Sequence, residues 1–180
     1  MDVDLGVGAG VEHLVVMGVS GSGKSTLGAQ LATRLGRPYL EGDAFHSAAN
    51  VATMSAGHPL TDADRWPWLD AIVAAMREHA VAGRSTVVAC SALRRAYRDR
   101  LRTAPGRVRF LCLDVPADEL ARRMAQRSGH FMPPRLLASQ LATLEPLADD
   151  EDGLTVTAQG TGDVGATVDD VLRRLGATRP

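Results

Sequence analysis

A glycine-rich stretch near the amino terminus constrains this chain more than any other feature. It reads Gly-Val-Ser-Gly-Ser-Gly-Lys-Ser-Thr over Gly18–Thr26 and fits the pattern G-x-x-x-x-G-K-[ST]. Glycines let such a backbone curl so that successive N–H groups point inward at phosphate oxygens. An apolar run of strand length, Leu14–Met17, precedes the stretch, and leucines at helical spacing follow it. The sequence therefore predicts a strand, a phosphate-binding loop and a helix, in that order.

The polar residues of this stretch suit ATP and Mg²⁺. Lys24 supplies a positive charge for the β- and γ-phosphates, and Ser25 offers a hydroxyl to Mg²⁺. Lys24 is the only lysine among the 20 basic residues of the chain, and all the others are arginine. An arginine fork cannot replace a compact ammonium inside a tight loop, which argues against an ordinary Gly/Ser turn. The predicted ATP-binding residues here are Gly18, Ser20, Gly21, Ser22, Gly23, Lys24, Ser25 and Thr26.

Composition limits the class of protein. A chain of 180 residues with 45% hydrophobic and 23% charged residues is typical of one soluble globular domain. Its net charge of −1 gives no basic field for a nucleic acid. Residues 1–12 read as a loose leader without a signal peptide, and no apolar run approaches the ~20 residues of a membrane span. We expect a cytoplasmic protein in which Cys90 and Cys112 are buried free thiols rather than a disulfide.

Strand-like and helix-like segments alternate along the chain. This alternation predicts an α/β fold, a parallel sheet of the P-loop NTPase type flanked by helices, in one domain over 13–180 with a small helical lid at about 123–145. Residues 44–60 are expected to be irregular because Gly57 and Pro59 break any regular element. Strands are predicted at 13–17, 38–40, 85–90, 108–113 and 154–158. Helices are predicted at 25–35, 93–102 and 133–144. Three further helices are predicted to begin between 62 and 67, at 116 and at 164, and the first of these to end at 83.

Acidic residues follow the second predicted strand. In parallel sheets ligands collect beyond the carboxyl ends of the strands, where the phosphate loop also lies. Asp43 is therefore a candidate base that accepts a proton from an attacking alcohol, and Glu41 a candidate for ordering Mg²⁺ through water. The same positions also suit solvated loop acids or helix N-caps, and spacing alone leaves both interpretations open.

Arginines offer further anion contacts. Arg65 lies beside two tryptophans and is either a bidentate ligand for a carboxylate or phosphate or a surface residue. Most of the arginines in 94–102 are expected to form a solvated helix face. Arg123 and Arg127 precede a Gly-His-Phe break at 129–131, which is either a mobile flap that brings arginine to the transferred phosphate or part of an exposed basic helix.

Taken together, these stretches resemble the small, single-domain gluconokinases. The resemblance covers about residues 14–175, and its middle blocks separate the chain from shikimate kinases and nucleoside monophosphate kinases. Beyond the phosphate loop it is carried by the sequence at 41–46 with Asn50 and Met54, at 57–69, at 90–99, at 129–133, and at 136–140 with 143–145.

The resemblance implies ATP-dependent phosphorylation of D-gluconate to 6-phosphogluconate, with Mg²⁺. It implies that Lys24, Asp43 and Arg127 are catalytic and that Arg123 binds the nucleotide. It leaves a homodimer open. The chain departs from the family pattern at Glu41, where Asp is expected, and at Ser47, where Pro is expected and only loop stiffness is affected. The implied substrate contacts are Asp43, His46, Arg65, Trp68, Arg95 and His130.

Two alternatives remain at this stage. One is another small-acceptor kinase of the same fold, for shikimate or a nucleotide. The other is a nucleotide-binding regulatory module that hydrolyses ATP slowly and phosphorylates nothing. Asp43, Arg65 and Trp68 argue against the module, because a switch does not need acceptor residues.

Overall fold

A single parallel sheet organises the molecule. The computed structural model describes Gly8 and residues 10–125, 136–157 and 163–176. Within these residues the sheet has five strands in the order β2-β3-β1-β4-β5, and every neighbouring pair is parallel. The predicted parallel α/β fold is confirmed. The strands are β1 Glu12–Met17, β2 Tyr39–Glu41, β3 Thr86–Ala89, β4 Arg107–Asp114 and β5 Gly153–Thr157.

Helices connect the strands and cover both faces of the sheet. None of those in the described residues is long and apolar enough to cross a membrane. A short 3₁₀ helix over Gly42–Phe45 follows β2. The α-helices are α1 Lys24–Leu35, α2 Ala48–Ser55, α3 Asp62–Val81, α4 Arg95–Leu101, α5 Ala117–Ala125, α6 Leu137–Thr143 and α7 Val164–Leu175.

The core has one apolar layer on each face of the sheet. On one face α3 and α4 bury Leu69, Ile72 and Leu101 against the strands. On the other face α1 and α7 bury Leu31 and Val171. Strands covered on both faces need apolar side chains on both, which explains their uninterrupted apolar runs. Cys90 and Cys112 are free and buried as predicted, and burial raises the pKa of the Cys90 thiol to about 12.

Residues 44–60 are more regular than predicted. The expectation of an irregular segment is wrong, because α2 forms between the 3₁₀ helix and Gly57. Ser47 is its N-cap, and its hydroxyl accepts a hydrogen bond from the Asn50 backbone N–H at 3.1 Å. Ser47 therefore stabilises a helix start rather than only affecting loop stiffness. Asn50 and Met54, one turn apart, are the buried residues of α2.

The N-terminus of α3 agrees with the sequence pattern. Thr61 and Asp64 form a capping box, in which the Thr61 hydroxyl accepts from the Asp64 N–H and the Asp64 carboxylate accepts from the Thr61 N–H. The helix therefore begins at Asp62, at the early limit of the predicted interval. Pro67 lies inside the helix beyond its first turn.

The arginine-rich segment differs most from expectation. Arg98 lies among arginines predicted to form a solvated helix face, yet it is fully buried, and Glu151 is buried with it. Their side chains form an ion pair at 2.7 Å. Burial raises the pKa of Glu151, but hydrogen bonds from Arg98 and Arg102 outweigh this effect and lower it to about 2. A buried charge requires a partner of opposite charge. The hydrophobic periodicity of one segment cannot reveal a partner that lies in another segment.

Candidate active site

The phosphate loop has the backbone conformation that its glycines allow. Gly18 and Gly23 have φ values of +142° and +94°, in the region that favours glycine. A Cβ on Gly18 would lie 3.0 Å from the carbonyl oxygen of Leu113. The Lys24 ammonium donates a hydrogen bond to the Val19 carbonyl at 3.0 Å, and both Lys24 and Ser25 line a cleft beyond the strand ends. The N-terminus of α1 adds its positive dipole to this cleft.

Asp43 enters the same cleft from the end of β2. Gly42 follows the strand, and a Cβ there would lie 2.2 Å from the Ala89 carbonyl oxygen of the neighbouring strand. Only glycine fits that close approach, and the 3₁₀ turn after it brings Asp43 into the cleft beside Lys24 and Ser25. The Asp43 carboxylate and the Lys24 ammonium therefore lie on the same side of the sheet.

His46 and Trp68 form a stacked pair in the lining of the same cleft. The His46 ring lies on Trp68 with 4.2 Å between ring centroids and 14° between planes, and the indole N–H donates to the Gly42 carbonyl at 2.8 Å. Burial lowers the pKa of His46, so the imidazole is neutral near pH 7. Asn50 Nδ2 donates to the Asp64 carbonyl at 3.0 Å and lies 3.4 Å from His46 Nδ1. This amide orientation makes Nδ1 the acceptor and places the imidazole proton on Nε2.

Arg65 lines the cleft from α3 and is held from behind. Its Nη1 donates to the Tyr97 hydroxyl at 3.1 Å and lies 3.7 Å from Asp62 Oδ1. The Tyr97 hydroxyl in turn donates to Asp62, and this hydrogen bond is the main reason that the pKa of Asp62 is lowered. The guanidinium side chain is only 18% exposed. Tyr97 and Asp62 therefore hold a positive charge at the edge of the cleft.

Known proteins share this arrangement of sequence and fold. A family model described as AAA domain matches residues 14–147. A gluconokinase of Gluconobacter oxydans is 49% identical over 91% of each chain. The chain belongs to the gluconokinase family. The crystal structure of a gluconokinase from Sinorhizobium meliloti superposes with a TM-score of 0.79 at 45% identity, covering 92% of this chain and 91% of that one. A sugar kinase from Janibacter superposes with a TM-score of 0.87 at 49% identity, covering 93% and 96%.

The cleft of this gluconokinase-family chain contains oxygen donors that fit Mg²⁺. Ser25 and Asp43 contribute a hydroxyl and a carboxylate. Mg²⁺ keeps several waters and needs only one or two carboxylates beside phosphate oxygens, so a dense cluster of acids is not required. No group of three or more His, Cys, Asp or Glu suited to a metal occurs in the described part of the chain. The donor set therefore suits an ion that arrives with a nucleotide.

Glu41 lies behind the cleft rather than in its lining. Its Oε2 accepts a hydrogen bond from the Tyr39 hydroxyl at 2.7 Å. Burial, followed by the interaction with Glu41, raises the pKa of Tyr39. The Glu41 carboxylate is therefore held by Tyr39 at the end of β2, a contact that the sequence did not suggest.

The predicted lid residues fall into two groups. Arg127 and His130 lie outside the described residues. Arg123 lies on α5, where its Nε donates to Glu119 at 2.6 Å and its Nη1 reaches the Ser22 carbonyl at 3.5 Å. Hydrogen bonds from Arg122 and Arg123 lower the pKa of Glu119 to about 2. Arg123 is thus at the phosphate loop.

Arg95 is placed differently from the expectation that it contacts substrate. Its guanidinium makes a two-pronged pair with Asp150 at 2.7 and 2.8 Å, and Arg95 is absent from the residues that line the cleft. Its position at the exposed start of α4 directs it toward the acidic segment around Asp150. We therefore leave Arg95 out of the acceptor site.

Two cleft residues were missed from the sequence. Tyr97 lies in the segment 90–99 that carries the resemblance but was given no role there; its ring is buried and its hydroxyl reaches Arg65. Gln140 lies in the segment 136–140 that carries the resemblance but was given no role, and its Oε1 accepts a hydrogen bond from the Ser20 backbone N–H at 2.6 Å. The polar pair Ser139 and Gln140 inside a leucine-rich helix was the available signal, since both line the cleft.

Proposed function

We propose that this protein transfers the γ-phosphoryl group of ATP to the 6-hydroxyl of D-gluconate. The observation that carries the proposal is that an acid, a neutral histidine and an anchored arginine share one cleft with the phosphate loop. The names of its relatives support the same reaction. The regulatory-module alternative needs no acceptor wall, and this cleft has one.

The nucleotide side of the cleft consists of the loop and α1. The backbone amides of the loop cradle phosphate oxygens, and the Lys24 ammonium offsets the charge of the β- and γ-phosphates. Arg123 lies close enough to the loop to add a second positive charge. When bound, Mg²⁺ would supply charge neutralisation of the phosphates from beside Ser25 and Asp43. Arg127 and His130 remain predicted contributors from the lid.

The acceptor side consists of Arg65, His46 and Trp68. A guanidinium binds a carboxylate with two parallel hydrogen bonds, which suits the acid group of gluconate. The Nε2–H of neutral His46 donates to a hydroxyl of the sugar acid. The Trp68 ring supports the imidazole from behind and excludes water on that side.

Asp43 completes the reaction as the general base. The oxygen of the 6-hydroxyl forms a bond to the γ-phosphorus while the bond from that phosphorus to the bridging oxygen of ATP breaks. The hydroxyl proton passes to the Asp43 carboxylate, and ADP leaves with the bonding electron pair. Both substrates are cytoplasmic metabolites in this proposal, and a homodimer remains a prediction.

A panel of acceptors tests the proposal. Purified protein is given MgATP with D-gluconate, shikimate or a nucleoside monophosphate, and ADP release is followed. We expect turnover with gluconate at about 1–1,000 s⁻¹, the range typical of enzymes, and no turnover with the other acceptors. Binding of ATP without gluconate-stimulated ADP release would favour the regulatory module. Turnover with shikimate or a nucleotide instead would favour the other small-acceptor kinases.

A further inference from the structure

Gln140 joins two parts of the cleft that are far apart in sequence. Its side-chain carbonyl accepts a 2.6 Å hydrogen bond from the Ser20 backbone N–H, in the middle of the phosphate loop. The backbone amides that would cradle phosphate belong to the residues immediately after Ser20. A group that holds Ser20 therefore affects where those amides lie.

Helix α6, which carries Gln140, also packs on the loop through apolar side chains. Val19, the neighbour of Ser20, is buried in a cluster with Leu93, Leu120 and Leu137, and Leu141 of the same helix packs against this cluster. The cluster and the hydrogen bond act on adjacent loop residues. Two kinds of contact therefore hold the loop against the helix.

The same helix also borders the acceptor side. Ser139 and Thr143 line the cleft together with His46 and Arg65. One short helix thus contacts the phosphate loop through Gln140 and its leucines, and lines the acceptor side of the cleft through Ser139 and Thr143. An acceptor that contacts α6 favours the helix position in which that contact forms. Because the helix also contacts the phosphate loop, the acceptor then favours one position of the loop as well.

The C-terminal end of α6 is fixed to the core. Arg98, paired with Glu151, donates to the carbonyl oxygens of Glu145 at 3.1 Å and Pro146 at 3.3 Å. The Glu145 N–H donates to the Leu93 carbonyl at 2.8 Å. These contacts fix the chain just beyond α6 to the core.

We propose that Gln140 is a positioning residue that couples acceptor binding to nucleotide binding by holding the Ser20 amide. The inference rests on the proposed function, because it takes D-gluconate as the acceptor. It predicts that gluconate tightens the binding of an ATP analogue, and by linkage that the analogue tightens the binding of gluconate by the same factor.

Calorimetry on the wild-type protein and four variants tests this coupling. The dissociation constant of AMPPNP is measured with Mg²⁺, in the absence and presence of saturating D-gluconate, for the wild-type protein, Gln140→Met and Gln140→Glu. Methionine keeps the length but cannot accept the Ser20 hydrogen bond, whereas a carboxylate can. Gln30→Met, at an exposed position of α1, is the matched control. Gln140→Leu is a second apolar variant, and thermal melting checks that each protein is folded.

The ratio of the two dissociation constants is the decisive quantity. We expect gluconate to lower the AMPPNP constant by about fivefold or more in the wild type and in Gln30→Met. In Gln140→Met and Gln140→Leu the ratio should fall to about one. Gln140→Glu should keep the wild-type ratio, while its negative charge near the phosphates weakens AMPPNP binding in both conditions.

Two kinds of failure are distinguishable. If the wild type phosphorylates gluconate but Gln140→Met keeps the full ratio, or if the wild-type ratio is one, the role of Gln140 is wrong and the proposed function stands. If the wild type does not phosphorylate gluconate, the proposed function falls and this coupling falls with it.

Discussion

The imidazole of His46 lies nearly parallel to the indole of Trp68, with 4.2 Å between the two ring centroids. The contact covers one face of the half-buried imidazole, and this partial burial lowers the pKa of His46. A neutral imidazole can donate one hydrogen bond with a fixed direction, whereas a charged one would lose the Asn50 amide as its donor. The stack therefore sets both the position and the protonation state of an acceptor contact.

The pH dependence of gluconate binding follows from this protonation state. Because the pKa of His46 is below its usual 6.5, the ring stays neutral as pH falls from about 8 to about 6.5. We expect the KM for gluconate to be flat over that range and to rise at lower pH as the ring gains a proton. His46→Gln keeps a donor that does not titrate, so its KM should rise less at low pH. An equal rise in both proteins would contradict the role of His46.

Arg65 depends on Tyr97 for its position. Tyr97→Phe removes the hydroxyl that accepts from Arg65 and donates to Asp62. One such hydrogen bond is worth about 0.5–1.5 kcal/mol, so the KM for gluconate should rise by up to about tenfold while the KM for ATP stays within about twofold. Arg65→Ala should raise the gluconate KM further. Steady-state kinetics measures both constants.

The control for these variants is Arg77→Ala, an exposed arginine on the same helix as Arg65. It should leave both KM values unchanged. An unchanged gluconate KM in Arg65→Ala would remove this arginine from the acceptor site, and a parallel rise in the ATP KM would indicate a general structural effect.

The buried pair of Arg98 and Glu151 stabilises the fold. Both side chains are 1% exposed. Arg98→Met leaves the buried Glu151 carboxylate with the partly exposed Arg102 as its charged partner, so it should lower the free energy of unfolding by up to about 3–5 kcal/mol. Denaturant unfolding measures this quantity. The exposed pair of Arg95 and Asp150 is the control, and Arg95→Met should change stability little because solvent screens that pair.

A double variant separates pairing from packing. Arg98→Met combined with Glu151→Leu removes both charges, so it should lose less stability than the sum of the two single changes. A strictly additive loss would mean that the two side chains do not interact in the folded protein.

His13 makes the stability of the sheet depend on pH. It is fully buried, and its ring nitrogens contact the Thr86 hydroxyl at 2.7 Å and the Pro105 carbonyl at 3.0 Å. Burial is the main reason that its pKa is lowered in the folded state. A lowered pKa favours the neutral ring, so the stability that His13 contributes is complete above pH 6.5, the pKa of the unfolded chain, and is lost as pH falls through the folded pKa.

Denaturant unfolding at several pH values tests this assignment. Below about pH 6.5, each proton taken up on unfolding lowers the free energy of unfolding by about 1.4 kcal/mol for every unit by which the pH falls. His13→Gln should therefore show a shallower fall in stability than the wild type. His58→Gln, at an exposed position, should follow the wild type. Identical slopes in wild type and His13→Gln would contradict the assignment.

The parts of this structure that the sequence predicts well are set by local patterns. The phosphate loop after β1 and the start of α3 at Asp62 depend on neighbours within a turn or two. Asp43 was placed correctly at the strand end because parallel strands deliver their carboxyl ends to one edge of the sheet. These inferences needed no knowledge of contacts between distant segments.

The missed features depend on distant contacts. Arg98 looks like its solvated neighbours until Glu151, 53 residues later, is placed beside it. Gln140 and Ser20 are 120 residues apart. Tyr97 fits an apolar periodicity, and only the fold shows that its hydroxyl extends past the core to Arg65. Hydrophobic spacing tells which face is buried, but it does not tell which polar groups meet there.

The most direct test of the account is the effect of Asp43→Asn on turnover and on nucleotide affinity. Asparagine keeps the size of the side chain but cannot take the proton of the attacking hydroxyl. We predict that kcat for gluconate-dependent ADP release falls by about 100-fold to 10,000-fold, while the dissociation constant of AMPPNP stays within about threefold of the wild-type value. A near-normal kcat, or a loss confined to AMPPNP affinity, would contradict the claim that Asp43 is the base.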